Sequence, residues 1–241
     1  MPKKMYQNLV FMSVALLCIS SFNALAKAPD DYRHAKKIAN QLFKNHRQTL
    51  YCQCPYDSKK RINLKACHME KASHIKRAQR MEWEHMMPAE NFGRQFKCWR
   101  EKLCVSSKNG KRYRGRKCCQ KISPEFRKAE AELYNLWPAV GLVNQARSNY
   151  RYSPLPSKTG FYGCSMEIDK KARKASPPSH AKGIVARANL FMADKYKIRL
   201  SKSQRKLFDA WNKTYPPSKF EKRWAADVAK ITGYKNKYIS E

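Results

Sequence analysis

The chain has 241 residues, of which 51 are Lys or Arg and 18 are Asp or Glu, so its formal net charge is +33. This basic excess indicates an anionic partner. Hydrophobic residues make up 42% of the chain, which is enough for a packed core and excludes a wholly disordered protein. No apolar run reaches the roughly 20 residues that a membrane-spanning helix needs. The length predicts one domain, or two tightly joined lobes.

The first 26 residues have the layout of a secretory signal peptide. Two lysines precede an apolar stretch over residues 9–22, and the small-x-small motif Ala24-Leu25-Ala26 follows. We expect cleavage after Ala26, a mature net charge of +31, and a product that is periplasmic or secreted. A membrane anchor is the first alternative, but the stretch is short. A lipid-modified Cys18 is the second, but a bulky residue stands where lipid attachment needs a small one.

Eight cysteines remain in residues 27–241, and an even number in an exported chain indicates disulfide bonds. They are Cys52, Cys54, Cys67, Cys98, Cys104, Cys118, Cys119 and Cys164. A zinc site made by the first three and His68 is the alternative, although its C-x-C spacing lacks the usual C-x2-C knuckle. All eight lie within residues 52–164, so residues 165–241 must be held by packing alone.

The first half of the chain is predicted to alternate short helices with loops. Apolar residues at helical spacing predict a helix within Asp30–Leu50, and residues 51–67 are turn-like. The stretch Cys98–Cys119 is expected to be a loop, in which six cations crowd ten residues that contain no acid. Ser123-Pro124-Glu125 is typical of a helix start, and we expect that helix to reach Tyr134.

The second half is predicted to be mainly helical. Pro138 and Gly141 interrupt the chain before a helix around Val143–Tyr150, and residues 151–164 form a loop or short strand. Gly183–Tyr196 has the pattern of an amphipathic helix. Two capping boxes, Ser201-x-x-Gln204 and Ser218-x-x-Glu221, each open a periodic run. Clear strands are few, so the predicted fold class is α+β with helices dominant.

The most unusual local chemistry is Glu82-Trp83-Glu84-His85. The chain has no GxxxxGK[ST], GxGxxG, HExxH or GxSxG motif, which leaves out common nucleotide cradles, zinc proteases and serine hydrolases. A carboxylate can hold a hard cation, and a neighbouring imidazole can take a proton from water near neutral pH. In a strand, Glu82 and Glu84 would share one face and His85 the other. A surface strand whose carboxylates balance local positive charge is the alternative.

A second candidate is the stretch from Asn135 to Asn144, in which two Asn residues bracket the Pro/Gly interruption. Helix-end capping would explain both of them. An Asn side-chain oxygen is also a neutral ligand for a hard cation, and it could share Mg²⁺ with a carboxylate while leaving positions open for water.

Several segments in one order along the chain carry a family pattern. They are Glu82-Trp83-Glu84-His85-x-x-Pro88-Ala89, Phe92-Gly93, Cys98-Trp99, Asn135-Leu136-x-Pro138-Ala139-x-Gly141-x-Val143-Asn144, Arg147-x-Asn149, Tyr162-Gly163-Cys164, Ala186-Arg187 and Leu207-Phe208-x-Ala210-Trp211-Asn212-Lys213-x-Tyr215-Pro216. Together they closely resemble the endonuclease I family of exported bacterial nucleases, over roughly residues 30–235.

The resemblance implies a single disulfide-stapled domain, residues 27–241, around a ββα-metal core in which two strands and a helix hold one divalent cation. It makes Glu84 and Asn144 the metal ligands and His85 the general base. It also implies supporting roles for Asn135 and Arg147, which fall within the family motifs.

The resemblance further assigns contact with the scissile phosphate to an Arg that precedes a Cys and lies fourteen residues before a helical Glu. That spacing gives Arg116 with Glu130, although Arg112 and Arg114 lie close by.

The function implied is that of an exported endonuclease dependent on Mg²⁺, with Mn²⁺ or Ca²⁺ as other occupants. It would hydrolyse DNA, and RNA as in many relatives, without sequence preference, and its products would carry 5′-phosphates. We expect a monomer without a membrane span. The rival hypothesis is an exported cationic protein that binds nucleic acid or anionic envelope lipid without catalysis. Charge and export fit it equally well, but it gives no reason for Glu84, His85 and Asn144 in family order.

The sequence also departs from the family pattern. The Cys98–Cys119 stretch is several residues longer than usual, and Cys104 and Cys118 are additions within it. We expect these two to pair with each other, closing a loop of about fifteen residues. The alternative is that Cys119 takes Cys104, which would leave Cys118 to a distant partner.

Overall fold

A computed structural model describes residues 28–156 and 160–239. The predicted signal peptide, its cleavage site and Cys18 lie outside the described residues. The helices are α1 (Tyr32–Leu42), α2 (Ala89–Gly93), α3 (Lys97–Arg100), α4 (Arg116–Ile122), α5 (Pro124–Glu130), α6 (Gly141–Arg147), α7 (Ser179–Lys195), α8 (Lys202–Thr214) and α9 (Lys219–Thr232). The strands are β1 (Met81–His85), β2 (Cys104–Val105), β3 (Arg112–Tyr113), β4 (Leu136–Val140), β5 (Arg151–Tyr152), β6 (Glu167–Asp169) and β7 (Lys174–Ser176). The fold is α+β with helices dominant, as predicted.

Strands β1 and β4 and helix α6 form the ββα unit that the resemblance implies. The strands are antiparallel, with Glu84 opposite Trp137 and His85 opposite Leu136. Helix α6 starts directly after β4 and packs against both strands. Gly141 makes the junction, and a Cβ there would lie only 2.9 Å from Oε1 of Glu82. The backbone of α6 can therefore approach the acidic face of β1.

Strand β4 occupies the predicted interruption in the stretch from Asn135 to Asn144. Helix-end capping does not explain the two Asn residues, since their side chains bond to Met87 and to Glu82. All five residues of β4 are buried, so no polar alternation marks the strand in the sequence. Pro138 is tolerated because the β1–β4 sheet has two strands, each of which leaves one edge free of ladder hydrogen bonds. Helix α6 ends at Arg147 rather than at Tyr150.

The stretch Cys98–Cys119 is also more regular than the predicted loop. It contains the end of α3, the antiparallel hairpin of β2 and β3, and the first turn of α4. We refer to residues 104–113 as the basic hairpin. Helix α1 lies within the predicted range but ends early, at Leu42, and α5 begins where predicted, after Ser123, but ends early, at Glu130. Helix α7 begins at Ser179, four residues before the predicted Gly183, and ends at Lys195.

All eight cysteines of residues 27–241 form disulfide bonds. The pairs are Cys52–Cys164, Cys54–Cys67, Cys98–Cys119 and Cys104–Cys118. The predicted Cys104–Cys118 pairing is confirmed. The zinc alternative is wrong because its three thiols are oxidised, and no group of three or more His, Cys, Asp or Glu side chains in the described ranges is arranged to hold a metal.

Helix α7 is the central helix of the C-terminal half, which corrects its expected amphipathic character. Every residue from Val185 to Ala193 is buried, so the helix has no solvent face there. Arg187 forms a buried two-point ion pair with Glu221, at 2.7 and 2.6 Å, which ties α7 to α9. Ser201 and Ser218 cap α8 and α9 as predicted. Within residues 28–156 and 160–239, no helix has the length and apolar character of a membrane span.

Candidate active site

A cavity of about 630 Å³ opens beside strand β1 and the start of α4. Its walls bring together the four residues predicted to carry the chemistry, namely Glu84, His85, Arg116 and Asn144. Further cations line the same cavity, and they are Lys36, Lys60 and Arg77. The positive charges of the cavity therefore favour binding of an anion next to the Glu84 carboxylate and the His85 imidazole.

His85 is held in one tautomer by a backbone carbonyl. Its Nε2 lies 2.8 Å from the carbonyl oxygen of Glu130, and a carbonyl can only accept a hydrogen bond. Nε2 therefore carries the proton, and Nδ1 keeps its lone pair. Burial lowers the pKa of His85 to about 3, and the nearby Arg116 cation acts in the same direction. The imidazole is thus neutral at physiological pH, the state that a general base needs.

Glu84 is a buried carboxylate with two donors on one oxygen. The Tyr51 hydroxyl and Nε of Arg147 donate to its Oε1 at 2.7 and 2.6 Å, and Nη2 of Arg147 also contacts it. Burial raises the pKa of Glu84, whereas Arg147 and the Tyr51 hydrogen bond oppose this and favour the carboxylate. Among the described residues, no hydrogen bond reaches Oε2 of Glu84.

Asn144 presents its side-chain oxygen from α6. Its Nδ2 donates to Oε2 of Glu82 at 3.4 Å, so the amide oxygen Oδ1 points elsewhere. Glu82 is itself anchored by Arg77 and Arg80, at 2.7 and 3.0 Å. Glu82 therefore acts as an orienting partner of Asn144.

The donor set in this cavity fits a divalent cation. One carboxylate oxygen of Glu84 and the amide oxygen of Asn144 are hard donors, and neither is used by a hydrogen bond within the described part of the chain. Mg²⁺ prefers such oxygen donors and keeps several waters when a site supplies only one or two protein ligands. Two protein ligands therefore suffice, which agrees with the lack of a larger acidic cluster in the described ranges.

Arg116 is the first residue of α4 and lines the cavity. Its Nε donates to Oε1 of Glu130 at 2.5 Å, and Gln120 donates to the same carboxylate. About 40% of the Arg116 side chain stays exposed, so its remaining N–H groups are available to a ligand. Arg112 and Arg114 instead donate to backbone carbonyls, and neither is among the described residues that line the cavity.

The supporting residues Asn135 and Arg147 are not among the described residues that line the cavity, and they bond to the backbone of residues next to it. Asn135 brackets Met87, since its Oδ1 accepts from the Met87 N–H at 2.6 Å and its Nδ2 donates to the Met87 carbonyl at 3.0 Å. Arg147 donates through Nη2 to the carbonyl of His85 as well as contacting Glu84. These two side chains fix the backbone from the His85 carbonyl to Met87, directly after Glu84.

Three tyrosines belong to the site although the sequence does not mark them. The ring centroids of Tyr32 and His85 lie 4.8 Å apart. The guanidinium carbon of Arg116 lies 5.3 Å from the centroid of the same Tyr32 ring. The Tyr51 and Tyr152 hydroxyls lie 2.6 Å apart behind Glu84. The two are 101 residues apart in the chain, so no local pattern could have connected them.

The sequence profile of the family described as Endonuclease I matches residues 32–241. The chain belongs to the endonuclease I family. An extracellular deoxyribonuclease of Aeromonas hydrophila is 36% identical, over 98% of this chain and 99% of its own length. A periplasmic deoxyribonuclease of the same species is also 36% identical, over 97% and 95%. An endonuclease-1 of Buchnera aphidicola is 36% identical, over 88% and 82%.

Membership of the endonuclease I family makes the chain a nuclease, an enzyme that hydrolyses phosphodiester bonds, and it implies a divalent metal cofactor. The rival hypothesis of a purely binding protein is therefore set aside. The endonuclease also has the oxygen donors and the neutral imidazole in one cavity that such hydrolysis needs.

Proposed function

We propose that the chain is an exported, Mg²⁺-dependent endonuclease that cleaves DNA, and also RNA, without sequence preference. The observation that carries the proposal is that one cavity is lined by neutral His85 and by Glu84 and Asn144, each of which has an oxygen that accepts no hydrogen bond from the described residues. Two relatives named deoxyribonucleases favour DNA as the substrate. Their extracellular and periplasmic descriptions, together with the predicted signal peptide, favour export.

In this proposal His85 is the general base. The Glu130 carbonyl holds the ring by Nε2, so the lone pair of Nδ1 is available to take a proton from the attacking water. Attack opposite the 3′-oxygen breaks the bond between that oxygen and phosphorus. The 3′-oxygen takes a proton from solvent and becomes a hydroxyl, and the phosphate stays on the 5′ side. A divalent cation bound by Glu84 and Asn144 would stabilise negative charge on the phosphate and on the leaving oxygen.

Arg116 supplies fixed positive charge to the scissile phosphate. Its contact with Glu130 sets the direction of the guanidinium before substrate arrives, so little reorganisation is needed when negative charge develops in the transition state. The cation–π contact with Tyr32 restricts it further.

A second depression, of about 820 Å³, adjoins the cavity and supports binding of a longer strand. The two share Glu90 and Asn149 as walls, and the cations of the second depression are Arg94, Arg151, Arg173, Lys174 and Arg199. Contacts from Lys and Arg to backbone phosphates give affinity without reading bases, so this surface fits a nuclease without sequence preference. One chain supplies every proposed site residue, so a monomer is sufficient.

The decisive experiment is cleavage of supercoiled plasmid by the purified mature chain, with Mg²⁺ and with EDTA. We expect nicking and linearisation with Mg²⁺, none with EDTA, and 5′ ends that accept label from a polynucleotide kinase only after phosphatase treatment. Cleavage that persists in EDTA would contradict the metal requirement, and ends labelled without phosphatase would contradict the bond that we propose is broken.

The same assay tests the base. His85→Ala should lower the rate at least ~10²-fold, the lower end for loss of a general base. His74→Ala is the matched control, because His74 is exposed and lies outside the cavity. A His85→Ala rate close to that of the control would remove His85 from the role.

A further inference from the structure

Behind Glu84 the structure contains a chain of hydroxyl groups that the proposed reaction does not itself use. Tyr51 donates to Oε1 of Glu84 at 2.7 Å, and the hydroxyls of Tyr51 and Tyr152 lie 2.6 Å apart. Both tyrosines are buried, at 1% and 2% exposure. They come from the segment before the first disulfide and from β5, so the fold has to bring them together.

The direction of these hydrogen bonds follows from proton counting. A tyrosine hydroxyl has one hydrogen to donate, and that of Tyr51 goes to Glu84, because an ionised carboxylate can only accept. Tyr51 must therefore accept from Tyr152. The order is Tyr152 to Tyr51 to Glu84, with every donor directed toward the carboxylate.

The same counting decides which carboxylate oxygen is left for a ligand. Oε1 receives the Tyr51 hydroxyl and two N–H groups of Arg147, from Nε and Nη2, so these two side chains together use up its capacity to accept hydrogen bonds. Oε2 receives no hydrogen bond from the described residues, and Glu84 lines the cavity. The arrangement thus separates a structural oxygen from a ligand oxygen.

We propose that Tyr51 and Tyr152 are positioning residues, which saturate Oε1 of Glu84 so that Oε2 is presented to the divalent cation. This inference rests on the proposed metal site. Tyr51 acts directly on the carboxylate, whereas Tyr152 acts only through Tyr51. The backbone carbonyl of Tyr152 accepts from Gln204 at 3.0 Å, which couples its position to helix α8.

The test is the affinity for Mn²⁺ alone, measured by electron paramagnetic resonance without DNA. Tyr51→Phe should weaken Mn²⁺ binding at least ~10-fold, the usual cost of removing an outer partner of a metal ligand. Tyr152→Phe should weaken it severalfold. Because Tyr152 acts through Tyr51, the double variant should bind no more weakly than Tyr51→Phe, which a general loss of packing would not produce.

Tyr134→Phe is the matched control, since it removes a buried hydroxyl that bonds to the Ala225 and Tyr234 carbonyls, and Tyr134 is not among the described residues that line the cavity. Its Mn²⁺ affinity should equal that of the wild type. An unchanged affinity in Tyr51→Phe, or additive losses in the double variant, would overturn the inference. If Tyr51→Phe does not fold, Tyr152→Phe decides in its place, and wild-type affinity there is likewise a refutation.

Failure of the proposed function would look different. Glu84→Gln should abolish Mn²⁺ binding whatever the tyrosines do. If the Glu84→Gln protein binds Mn²⁺ as tightly as the wild type, the metal site itself is misplaced and the positioning role falls with it. If Glu84→Gln loses binding while Tyr51→Phe keeps it, the site stands and only the role of the tyrosines is refuted.

Discussion

Glu82 and Glu84 lie on the same face of β1 but have different neighbours. Glu82 is partly exposed, at 19% for its side chain, and both of its oxygens contact Arg77 or Arg80. Glu84 is buried and keeps one oxygen free of hydrogen bonds within the described residues. Of the two carboxylates, Glu84 is therefore the one prepared for a cation, and Glu82 is the one that orients Asn144.

Replacing each carboxylate separately tests this division of roles. Glu84→Ala should lose both metal binding and cleavage, because Asn144 alone is a neutral and weak ligand for Mg²⁺. Glu82→Ala should be milder, since it removes only the orientation of Asn144. Both would be measured as plasmid cleavage and as Mn²⁺ affinity. An inactive Glu82→Ala beside an active Glu84→Ala would show that the ligand is the other carboxylate.

At the scale of elements, the basic hairpin is the feature that departs from the family pattern. It is closed by Cys104–Cys118, and Cys98–Cys119 joins α3 to α4 directly beneath it. Arg112 and Arg114 are exposed and are steadied by bonds to the carbonyls of Lys102 and Arg100, at 3.0 and 2.7 Å. Arg112 of the basic hairpin and Arg114, which directly follows the hairpin, are thus held in place close in sequence to Arg116.

Removing the disulfide that closes the basic hairpin should weaken DNA binding without unfolding the protein. A disulfide that closes a loop of this size can contribute roughly 3 kcal/mol to the free energy of unfolding by restricting the unfolded chain. Without it, the hairpin would lose conformational entropy each time DNA binds and orders it. We expect Cys104→Ser/Cys118→Ser to remain folded, held by Cys98–Cys119, and to bind labelled duplex less tightly. Cys54→Ser/Cys67→Ser removes a loop of similar length elsewhere and is the control. Equal affinities for the two variants would show that the Cys104–Cys118 disulfide does not hold the basic hairpin in the conformation that binds DNA.

Sequence reasoning succeeded where the signal is local. Ser123, Ser201 and Ser218 cap their helices because a cap needs only a side chain and an N–H three residues later. It failed where burial is complete. Strand β4 is buried along its whole length, so it lacks the alternation that reveals a strand. Helix α7 is predicted as a helix, but its residues from Val185 to Ala193 are all buried, so the solvent-facing side expected of an amphipathic helix is missing there.

The residues of the candidate site also fall into those that local sequence motifs predict and those that only the structure reveals. Glu84, His85, Asn144 and Arg116 could be named from family motifs, and the structure brings them to one cavity. Tyr51 and Tyr152 could not, because their hydroxyls are 101 residues apart in the chain and meet beside Glu84 only in the folded protein. Long-range hydrogen bonds of this kind leave no periodicity in a single sequence.

For the whole molecule, the basic excess predicts binding that depends strongly on salt. If ~6 phosphates are neutralised, affinity should fall on the order of 10³-fold between about 50 and 200 mM salt, through loss of counterion release. The catalytically impaired His85→Ala protein would be titrated with labelled duplex across that range. A flat response would mean that the cations lining the cavity and the adjoining depression are not the binding surface.

The disulfide connectivity has a consequence for how the chain must mature if it is exported as proposed. Joining cysteines in the order in which they emerge would give Cys52–Cys54, Cys67–Cys98, Cys104–Cys118 and Cys119–Cys164, and only the third is native. The native Cys52–Cys164 bond has a sequence separation of 112 and encloses the other three. If disulfides form in the order in which the cysteines emerge, correct pairing therefore requires exchange between thiols and wrongly formed disulfides.

We accordingly expect the yield of active protein to fall severalfold in a bacterial host that lacks a periplasmic disulfide isomerase but keeps its thiol oxidase. A secreted protein with a single disulfide, expressed alongside, should be unaffected. Equal yields of the nuclease in the two hosts would mean that folding guides the cysteines to their partners before oxidation. A lower yield without the isomerase would mean that the cell's capacity to rearrange wrong disulfides limits how much active nuclease it can release.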